Sequence, residues 1–454
     1  MVQEPISQTQ LGVKSLTGQI ELPKNQLLLW QKSITNIGQL INAINSNMND
    51  IERITVTFQL ILAGAVILNS SDIHFEPEEE KIKLRIRLDG ILHDVVFIEP
   101  ALYDKLLSRI KLLAGLKLNI TKRSQDGHFS LQIIDDNNKI TEIEVRVSVL
   151  PSEYGESIVM RILNPQSLLG LDDLGIRHDL KETFEKEISR PNGMIIVTGP
   201  TGSGKTTTLY GVLKKLQSPE IKIITIEDPI EYHLSGISQS QANPESGYDF
   251  ASGLRAIVRQ DPDVILVGEI RDLETAQMAI QAALTGHLVL TTLHTNDAAG
   301  TVARLVALGE KPTNIASALN AVIAQRLVRK VCKYCREMTN VSERERVKIE
   351  NVLANLPVAT KKAIKIENLL KTPKIPKAKG CSRCNSTGYK GRIGLYELLI
   401  VDDEIENFIN ASLSTTDLNK KAIEKDMTTI KQDGFIKVLQ GITTLEEIER
   451  VVGE

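Results

Sequence analysis

Hydrophobic and polar residues follow two different patterns along this chain, and the change of pattern divides it in two. Between residues 81 and 88 polar and apolar positions alternate strictly, and Asp89-Gly90 then predicts a tight turn into a second strand at 91–97. Similar alternation predicts further strands, and apolar residues spaced three or four apart predict helices. The further strands are expected at 129–134, 140–149 and 157–163, and the helices at 27–44, 51–69 and 101–117.

The second half of the chain instead carries short apolar runs that alternate with helical patterns. Strands that alternate with helices predict a mostly parallel sheet, which binds its ligand at the carboxyl ends of the strands. We therefore expect an α/β fold in this half, preceded by a smaller α+β domain. The apolar runs, each expected to be a buried strand with polar residues just beyond it, are 194–198, 222–226, 264–267 and 288–292.

Shifts in composition indicate the borders of the domains. Residues 1–26 are polar and are expected to form a flexible arm, and the region past Leu395 has the pattern of helices. The expected organisation is a flexible arm with a short helix at 1–50, an α+β domain at 51–163, a linker at 164–173 and an α/β domain at 174–454, which includes an insertion at 331–391 and C-terminal helices at 396–454.

The composition is that of an ordinary globular protein of 454 residues, with 42% apolar and 24% charged residues. No apolar run is long enough to cross a bilayer, and the amino terminus lacks a basic segment followed by an apolar one, so we expect a cytoplasmic protein. The net charge of −3 and the 4% of aromatic residues argue against nucleic acid as a direct partner. Domains that bind nucleic acid are usually basic on one face and stack bases on aromatic rings.

The segment from Gly199 to Thr207 reads GPTGSGKTT and has the spacing of the loop that cradles the phosphates of ATP. Glycines let the backbone aim several N–H groups at one anion, Lys205 offers a charge to the β and γ phosphates, and Thr206 offers a hydroxyl to Mg²⁺. A plain turn from strand to helix is the alternative. The candidate ATP-binding residues are Gly199, Pro200, Thr201, Gly202, Ser203, Gly204, Lys205, Thr206 and Thr207.

Two acidic residues that follow predicted strands are the catalytic candidates. Gly268 stands where many such enzymes carry Asp, so Glu269 is expected to take the magnesium side of the site, directly or through water. Glu227 is the first residue past another strand and is expected to polarise the attacking water. The alternatives are an acid that caps a strand edge for Glu269 and a solvated turn for Glu227.

Two histidines, His287 and His294, lie on either side of the predicted strand at 288–292. Both are candidates to report the state of the γ phosphate to the rest of the fold. A hydrogen-bonded core histidine is the alternative, and no acid or cysteine lies at the spacing of a metal site.

All four cysteines fall in two CxxC pairs, a pattern that suits a closed tetrahedral zinc site in a chain where disulfides are disfavoured. The segment between the pairs is longer than usual, so the metal would fix a long insertion at its root. Reduced thiols and a redox pair are the alternatives. The candidate Zn²⁺ ligands are Cys332, Cys335, Cys381 and Cys384.

Together these segments resemble the secretion ATPase superfamily, and within it the assembly ATPases of bacterial type II secretion and type IV pili. The resemblance covers about residues 51–454. The segments that carry it are the phosphate loop, the acidic box at 227–232, the Gly-Glu pair at 268–269, the histidine box at 286–297, the two CxxC pairs and, in the first domain, 71–77, 85–90 and 125–127.

The resemblance implies a RecA-like ATPase domain after a PAS-like α+β domain, in a homohexameric cytoplasmic motor that binds ATP in clefts between the two. Arg85 and Arg87 match the arginines that the family's first domain extends toward the phosphates, with the exposed face of an edge strand as the alternative. The implied partners are other copies of the chain, an inner-membrane platform protein that draws pilin subunits into a filament, and a membrane-bound docking protein. Peripheral association with the inner face of the cell membrane, through these partners, is implied as well.

Two departures from the family pattern bear on these implications. Ser124 stands where the family often has Pro, and residues 1–50 are too few for the folded docking domain of other members. The choice between secretion and pilus systems therefore stays open, although the zinc motif favours assembly over retraction. Two other functions compete with the motor: a nucleic-acid motor, which would share the phosphate loop, and a nucleotide-gated scaffold, which Gly268 alone favours.

Overall fold

The computed structural model describes residues 18–48, 54–134, 140–165, 168–411 and 414–453 of the chain. The chain divides into two compact units, 1–166 and 167–454. Within the described ranges, no helix has both the length and the apolar character that crossing a membrane requires.

The first unit is a twisted sheet with helices packed on its hydrophobic face. Its elements in chain order are β1 (Gln19–Leu22), α1 (Lys24–Ser33), α2 (Ile37–Met48), α3 (Ile54–Ile67), β2 (Asp72–Pro77), β3 (Ile82–Leu88), β4 (Ile91–Ile98), α4 (Pro100–Leu113), β5 (Gln125–Ile134), β6 (Ile140–Ser152) and β7 (Gly155–Leu163). The strand order is β1-β5-β6-β7-β2-β3-β4, and β1 alone among these described strands pairs in parallel.

The prediction of a flexible arm is wrong for residues 19–26. Strand β1 pairs with β5 from Gln19↔Ser130 to Leu22↔Ile133, and its Ile20 and Leu22 side chains are buried. Helix α1 then begins at Lys24. A strand of four residues offers too little alternation to be recognised from sequence, and the earlier part of the predicted arm lies outside the described residues.

Strand β3 shows why the basic residues at 81–87 alternate with apolar ones. Its apolar side chains are all buried, whereas Lys83, Arg85 and Arg87 lie on the opposite face. The alternative of an edge strand for these arginines is wrong, because β3 lies between β2 and β4.

The second unit is built on another seven-stranded sheet with helices on both faces. Its elements are α5 (His178–Ile188), β8 (Gly193–Thr198), α6 (Lys205–Leu216), β9 (Ile223–Glu227), β10 (Ser238–Gln241), α7 (Phe250–Val258), β11 (Val264–Val267), α8 (Leu273–Leu284), β12 (Leu288–Leu293), α9 (Ala298–Leu308), α10 (Pro312–Ala318), β13 (Leu319–Val331), β14 (Glu337–Asn340), α11 (Glu343–Leu353), α12 (Val358–Ala363), α13 (Ile366–Lys371), β15 (Lys374–Lys377), β16 (Tyr389–Ile400), α14 (Asp403–Ala411), α15 (Thr415–Glu424), α16 (Ile430–Leu439) and α17 (Leu445–Val452).

The strand order of this sheet is β10-β9-β11-β12-β8-β13-β16, parallel except for β16. The four strands predicted from apolar runs are β8, β9, β11 and β12, and every residue in them is buried. Because all four are parallel neighbours in the centre of the sheet, the residues just beyond their carboxyl ends meet at one edge.

The region past Leu395, predicted as helical, begins with strand instead. Strand β16 continues to Ile400 and pairs antiparallel with β13. The segment Leu395–Leu399 is buried, so it lacks the polar face that would distinguish a strand from a buried helix in the sequence. The cysteine-containing insertion lies between β13 and β16, and its strands β14 and β15 form a separate two-stranded sheet.

A buried ionic cluster ties the carboxyl-terminal helix to β13. The Glu447 carboxylate in α17 accepts hydrogen bonds from Arg329 Nη2 and Arg450 Nη2, both at 2.6 Å, and from the Arg329 backbone N–H at 3.0 Å. Burial alone would raise the pKa of Glu447, but the hydrogen bonds from the two arginines lower it to about 2.

We expect Glu447→Gln to lower the free energy of unfolding at pH 7 by about 3 kcal/mol, since it leaves the partly buried Arg329 without its counter-charge. The folded pKa of about 2 lies below the ordinary value of 4.5, so the contribution of the carboxylate is full above pH 4.5 and fades as the pH falls toward 2. Chemical denaturation of both proteins across this range measures the difference. Exposed Glu446 provides the matched control, and an equal loss in Glu446→Gln would contradict the assignment.

Candidate functional site

The candidate phosphate loop, residues 199–204, connects the end of β8 to the start of α6. Gly199, Gly202 and Gly204 have φ values of +151°, +79° and +89°, which side chains on L-residues disfavour. A Cβ on Gly199 would also lie 2.5 Å from the carbonyl oxygen of Gln325 in β13. The loop therefore wraps tightly over the sheet edge and leads into the positive end of the α6 dipole, as in an anion-binding site.

The polar groups of this loop fit a bound nucleotide phosphate. Lys205 Nζ donates hydrogen bonds to the carbonyl oxygens of Gly199 at 2.9 Å and Pro200 at 3.3 Å. Burial lowers the pKa of Lys205, and the nearby Glu269 carboxylate opposes that shift. Within the described residues, the buried Ser203 hydroxyl has no hydrogen-bond partner. Thr206 is exposed in the first turn of α6, where a metal ion could reach its hydroxyl.

Glu269 lies two residues past the end of β11, beside an arginine and a histidine. His294 Nε2, just beyond β12, lies 3.4 Å from Glu269 Oε2, and the Arg271 guanidinium contacts the same carboxylate. The electrostatic effect of Glu269 on Lys205 links this group to the phosphate loop. Glu269 and His294 thus lie together, at the edge of the sheet where the sequence predicts them.

Gly268 occupies a position where a side chain would be crowded. Its N–H donates to the carbonyl of Ile226 at 2.8 Å, and a Cβ would lie 3.3 Å from Glu227 Cα and 3.4 Å from a ring carbon of Phe250. A side chain here would require β9 or Phe250 to shift slightly, so the close approach of β9 and β11 favours glycine at this position.

Glu227 is buried, with 4% of its surface exposed. Its carboxylate accepts hydrogen bonds from the Tyr210 phenol, from Thr225 Oγ1 at 2.6 Å and from Gln239 Nε2 at 3.3 Å. Burial, together with the Glu227 charge, raises the pKa of Tyr210. A carboxylate held in this way orients α6 and β10 against β9, which differs from the predicted role of a base that faces water.

The prediction that His287 reports the state of the γ phosphate is wrong. His287 precedes β12, its Nδ1 lies 3.0 Å from the carbonyl of Ala282, and its own carbonyl accepts from Gly193 at the start of β8. Because β8 and β12 are parallel, both starts lie at the edge of the sheet opposite the phosphate loop. His287 is therefore a hydrogen-bonded structural residue.

The first unit carries an arginine-rich face, which includes both predicted arginines. Asp72 in β2 accepts a hydrogen bond from Arg161 Nε at 3.1 Å and forms an ion pair with Arg87 Nε at 3.2 Å, and Arg85 Nε lies 2.9 Å from Asp94. The register aligns Arg87, Asp72 and Arg161 across three neighbouring strands. Arg161 was missed from sequence, and its 58% exposure makes it the most accessible arginine of this row.

The four cysteines converge, as a tetrahedral metal site requires. Their Sγ atoms lie within 4.8 Å of one another, with separations of 4.0 Å for Cys332–Cys381, 3.8 Å for Cys335–Cys384 and 3.7 Å for Cys381–Cys384. A zinc ion bound at about 2.3 Å by four thiolates in tetrahedral geometry separates the sulfurs by about 3.8 Å. Backbone N–H groups of Cys381 and Gly388 also point at Cys384 Sγ and would stabilise a thiolate there. The donor set fits Zn²⁺.

Comparison with known proteins decides the family. The model of a family described as "Type II/IV secretion system protein" matches residues 47–450. The chain belongs to this family. Type II secretion system ATPase E of Vibrio cholerae is 43% identical over 435 residues, which cover 96% of this chain and 79% of the relative. Type IV pilus assembly ATPase PilB of Thermus thermophilus is 42% identical over 389 residues, which cover 86% of this chain and 42% of the relative.

Solved structures of similar proteins agree with this assignment. The pilus retraction motor PilT with bound ADP has a TM-score of 0.57 at 27% identity, over 86% of this chain and 95% of that structure. The ATPase DotB of Legionella pneumophila has a TM-score of 0.63 over 87% of this chain and 95% of that structure, and its 22% identity supports the fold alone. The predicted α/β, RecA-like ATPase fold and the prediction of ATP hydrolysis are confirmed: the chain is an ATPase of the kind that serves secretion or pilus assembly.

Several polar residues that hold the site of this ATPase together were missed from sequence. Thr198, the last residue of β8, bonds Thr295 of the histidine box through both hydroxyls at 2.7 Å. Arg326 Nη2 donates to the carbonyl of Asn296 at 2.8 Å, and Gln325 contacts the phosphate loop. The available signal is their position. Thr198 ends β8, Thr295 and Asn296 follow β12, and Gln325 and Arg326 lie within β13 just past the residue that pairs with Thr198.

We expect the purified ATPase to contain one Zn²⁺ per chain by elemental analysis. Cys335→Ser should reduce the zinc content to background and lower the melting temperature, because three ligands cannot close the site and the insertion loses its root. Ser382→Ala, which changes the exposed residue between two ligands, should retain the metal. Zinc retained in full by Cys335→Ser would contradict the assignment.

Proposed function

We propose that this ATPase is a homohexameric cytoplasmic motor that drives the assembly of a pilin or pseudopilin filament through an inner-membrane platform protein. It would serve a type IV pilus or a type II secretion system, at the inner face of the cell membrane. The observation that carries the proposal is the convergence of the phosphate loop, Glu269 and His294 at one sheet edge. The two kinds of relative, a secretion ATPase and a pilus assembly ATPase, support it at similar identity.

In the proposed mechanism the loop binds ATP through its backbone N–H groups and through Lys205, which leaves the carbonyls of Gly199 and Pro200 to reach the phosphates. Thr206 and Glu269 would hold Mg²⁺, which neutralises charge on the β and γ phosphates when bound. The Ser203 hydroxyl gains a phosphate oxygen as its partner.

Glu269 is the better candidate to orient the attacking water as well. It is paired with His294 and Arg271 at the loop edge, whereas the Glu227 carboxylate is buried among three hydrogen-bond donors. We therefore assign Glu227 the positioning of α6, and His294 the role of sensing the charge on Glu269.

The arginine-rich face of the first unit completes the site in this proposal, with Arg85 and Arg87 reaching the phosphates bound by another subunit. Asp72 holds Arg87 and Arg161 in a fixed geometry when no nucleotide is bound. The phosphates of bound ATP would compete with Asp72 for these arginines. Sites shared between subunits require assembly, and arginine contacts that form in the transition state accelerate phosphoryl transfer.

The insertion supports assembly over retraction in this proposal, because a Zn²⁺ held by its four convergent cysteines would fix it to β13 and β16. The two competing functions lose support. Glu269 beside the phosphate loop opposes a nucleotide-gated scaffold, which only Gly268 favours. The net charge of −3 argues against a nucleic-acid motor.

The motor proposal predicts that phosphate release per chain from Mg-ATP rises with protein concentration and vanishes in Lys205→Ala. Arg87→Ala should also be inactive, but a mixture of the two inactive variants should regain part of the activity, because some interfaces then join an intact loop to an intact arginine face. Lys83→Ala, on the same face of β3, is the matched control and should stay active.

Failure of the mixture to regain activity would place the arginine in the same subunit or outside the reaction. Phosphate release by Lys205→Ala at the wild-type rate would contradict the motor itself. Turnover that rises only with added DNA would instead revive the nucleic-acid motor.

The two acids make a separate prediction. Glu269→Gln should lower kcat by about 100-fold or more while ATP still binds, as expected on loss of a group that acts on the reacting water. Glu227→Gln should lower the melting temperature and reduce kcat by less than about tenfold, since it weakens a buried hydrogen-bond network. Steady-state kinetics and ATP binding measured side by side decide the roles, and the reverse order of effects would restore Glu227 as the base.

A further inference from the structure

We infer that Gln325 is a positioning residue for ATP binding, because it fixes the peptide group that aims the Gly204 N–H at the phosphates. The inference rests on the proposed role of the phosphate loop. Gln325 follows the residue of β13 that pairs with the end of β8, Ala324↔Thr198, so it lies directly beside the loop.

The Gln325 side chain is buried, with 1% of its surface exposed, and both ends of its amide are engaged. Nε2 donates to the carbonyl oxygen of Ser203 at 2.8 Å, and Oε1 accepts from Thr208 Oγ1 at 2.6 Å. The partners fix which end is which, since the Ser203 carbonyl can only accept. One side chain thus joins the loop to the first turn of α6.

The hydrogen bond to Ser203 determines the direction of the next N–H group. In a trans peptide the C=O and the following N–H point in opposite directions in one plane. A Ser203 carbonyl held toward Gln325 therefore turns the Gly204 N–H away from β13, into the concave side of the loop. That orientation is the one that a cradle of N–H groups needs for an anion.

Gly204 itself does little to fix this peptide, because glycine is conformationally free. Its φ of +89° belongs to the left-handed region, and a Cβ there would lie 2.8 Å from Gln325 Nε2. A residue with a Cβ would restrict the backbone at position 204, but the Gln325 amide leaves no room for it. The same amide orients the peptide between Ser203 and Gly204. Gln325, on the neighbouring strand, therefore fixes a peptide that the flexible glycine does not fix.

The test is titration with a fluorescent ATP analogue and with ADP, alongside steady-state kinetics, on four variants and on Lys205→Ala. Gln325→Met keeps the volume but removes the donor, so Kd and KM should rise about tenfold or more while kcat at saturation stays within about threefold, as loss of uniform binding predicts. Thr208→Val keeps the Gln325 Nε2 donor but removes the hydroxyl that holds Gln325 Oε1. A smaller rise of about threefold in Kd and KM is therefore expected. The double variant should be no worse than Gln325→Met alone, since both changes act through one amide.

The fourth variant, Gln432→Met, is the matched control, because Gln432 is also a buried glutamine of this unit and donates to the carbonyl of Val352 at 3.3 Å, away from the loop. It should lower the melting temperature but leave Kd unchanged, which separates positioning from general stability.

A Kd for Gln325→Met within twofold of wild type overturns the inference. If that variant does not fold, an unchanged Kd in Thr208→Val overturns it instead. Binding that Lys205→Ala abolishes but Gln325→Met preserves would leave the proposed function intact, whereas a wild type that binds no ATP would end both.

Discussion

The parallel pairing of β8 with β12 and β13 determines where the chemistry of this ATPase lies. Leu293 pairs with Thr198 on one side and Ala324 pairs with it on the other, so the residues that follow these three lie at one level of the sheet. These residues are the phosphate loop after β8, the part of the histidine box that starts at His294 after β12, and Gln325 within β13. Hydrogen bonds between Thr198 and Thr295 join the end of β8 to the segment that follows β12. The register of three strands thus does what no single motif does, because it brings residues that are distant in sequence to one edge.

The local parts of the site could be predicted from sequence because their geometry is encoded locally. The loop is a run of nine residues whose glycines define its backbone, and each CxxC pair forms its own turn. Glu269 and His294 follow recognisable apolar strands, so the parallel sheet alone places them near the loop. The same reasoning excludes His287, since it stands before the strand, at the other edge. That error came from treating the histidine box as a unit instead of applying strand direction.

The parts that could not be predicted depend on non-local contacts. Glu227 is buried by Tyr210 from α6 and Gln239 from β10, and nothing near it in sequence shows that these would converge. Strand β1 is too short to show a pattern, and β16 carries a continuous buried segment that does not distinguish strand from helix. The role of Gln325 is visible only through the peptide plane that it contacts. In each case the decisive partner comes from another element.

A second buried ionic network links the start of the second unit to its carboxyl-terminal helices. Asp433 in α16 is fully buried between Arg177 Nη1 at 2.7 Å and Lys437 Nζ at 2.6 Å, and accepts from the Tyr396 N–H of β16 at 3.0 Å. Burial acts to raise the pKa of Asp433, but these two cations hold it below its ordinary value. Removal of one partner from such a cluster leaves a buried charge uncompensated, which costs about 3–5 kcal/mol.

Arg177 extends this network to the insertion. It also bonds Asp179 at 3.0 Å and Thr428 at 3.2 Å, and both of those side chains contact Thr360 in α12. The insertion is therefore held by Thr360, and a metal ion bound by the four cysteines would hold it at its root as well. Each attachment leaves a shorter free loop for the other to close. The loss of conformational entropy on the second attachment is therefore smaller. The insertion is thus a fixed part of the ATPase unit, and the residues that begin this unit are anchored to its carboxyl-terminal helices through the same buried charges.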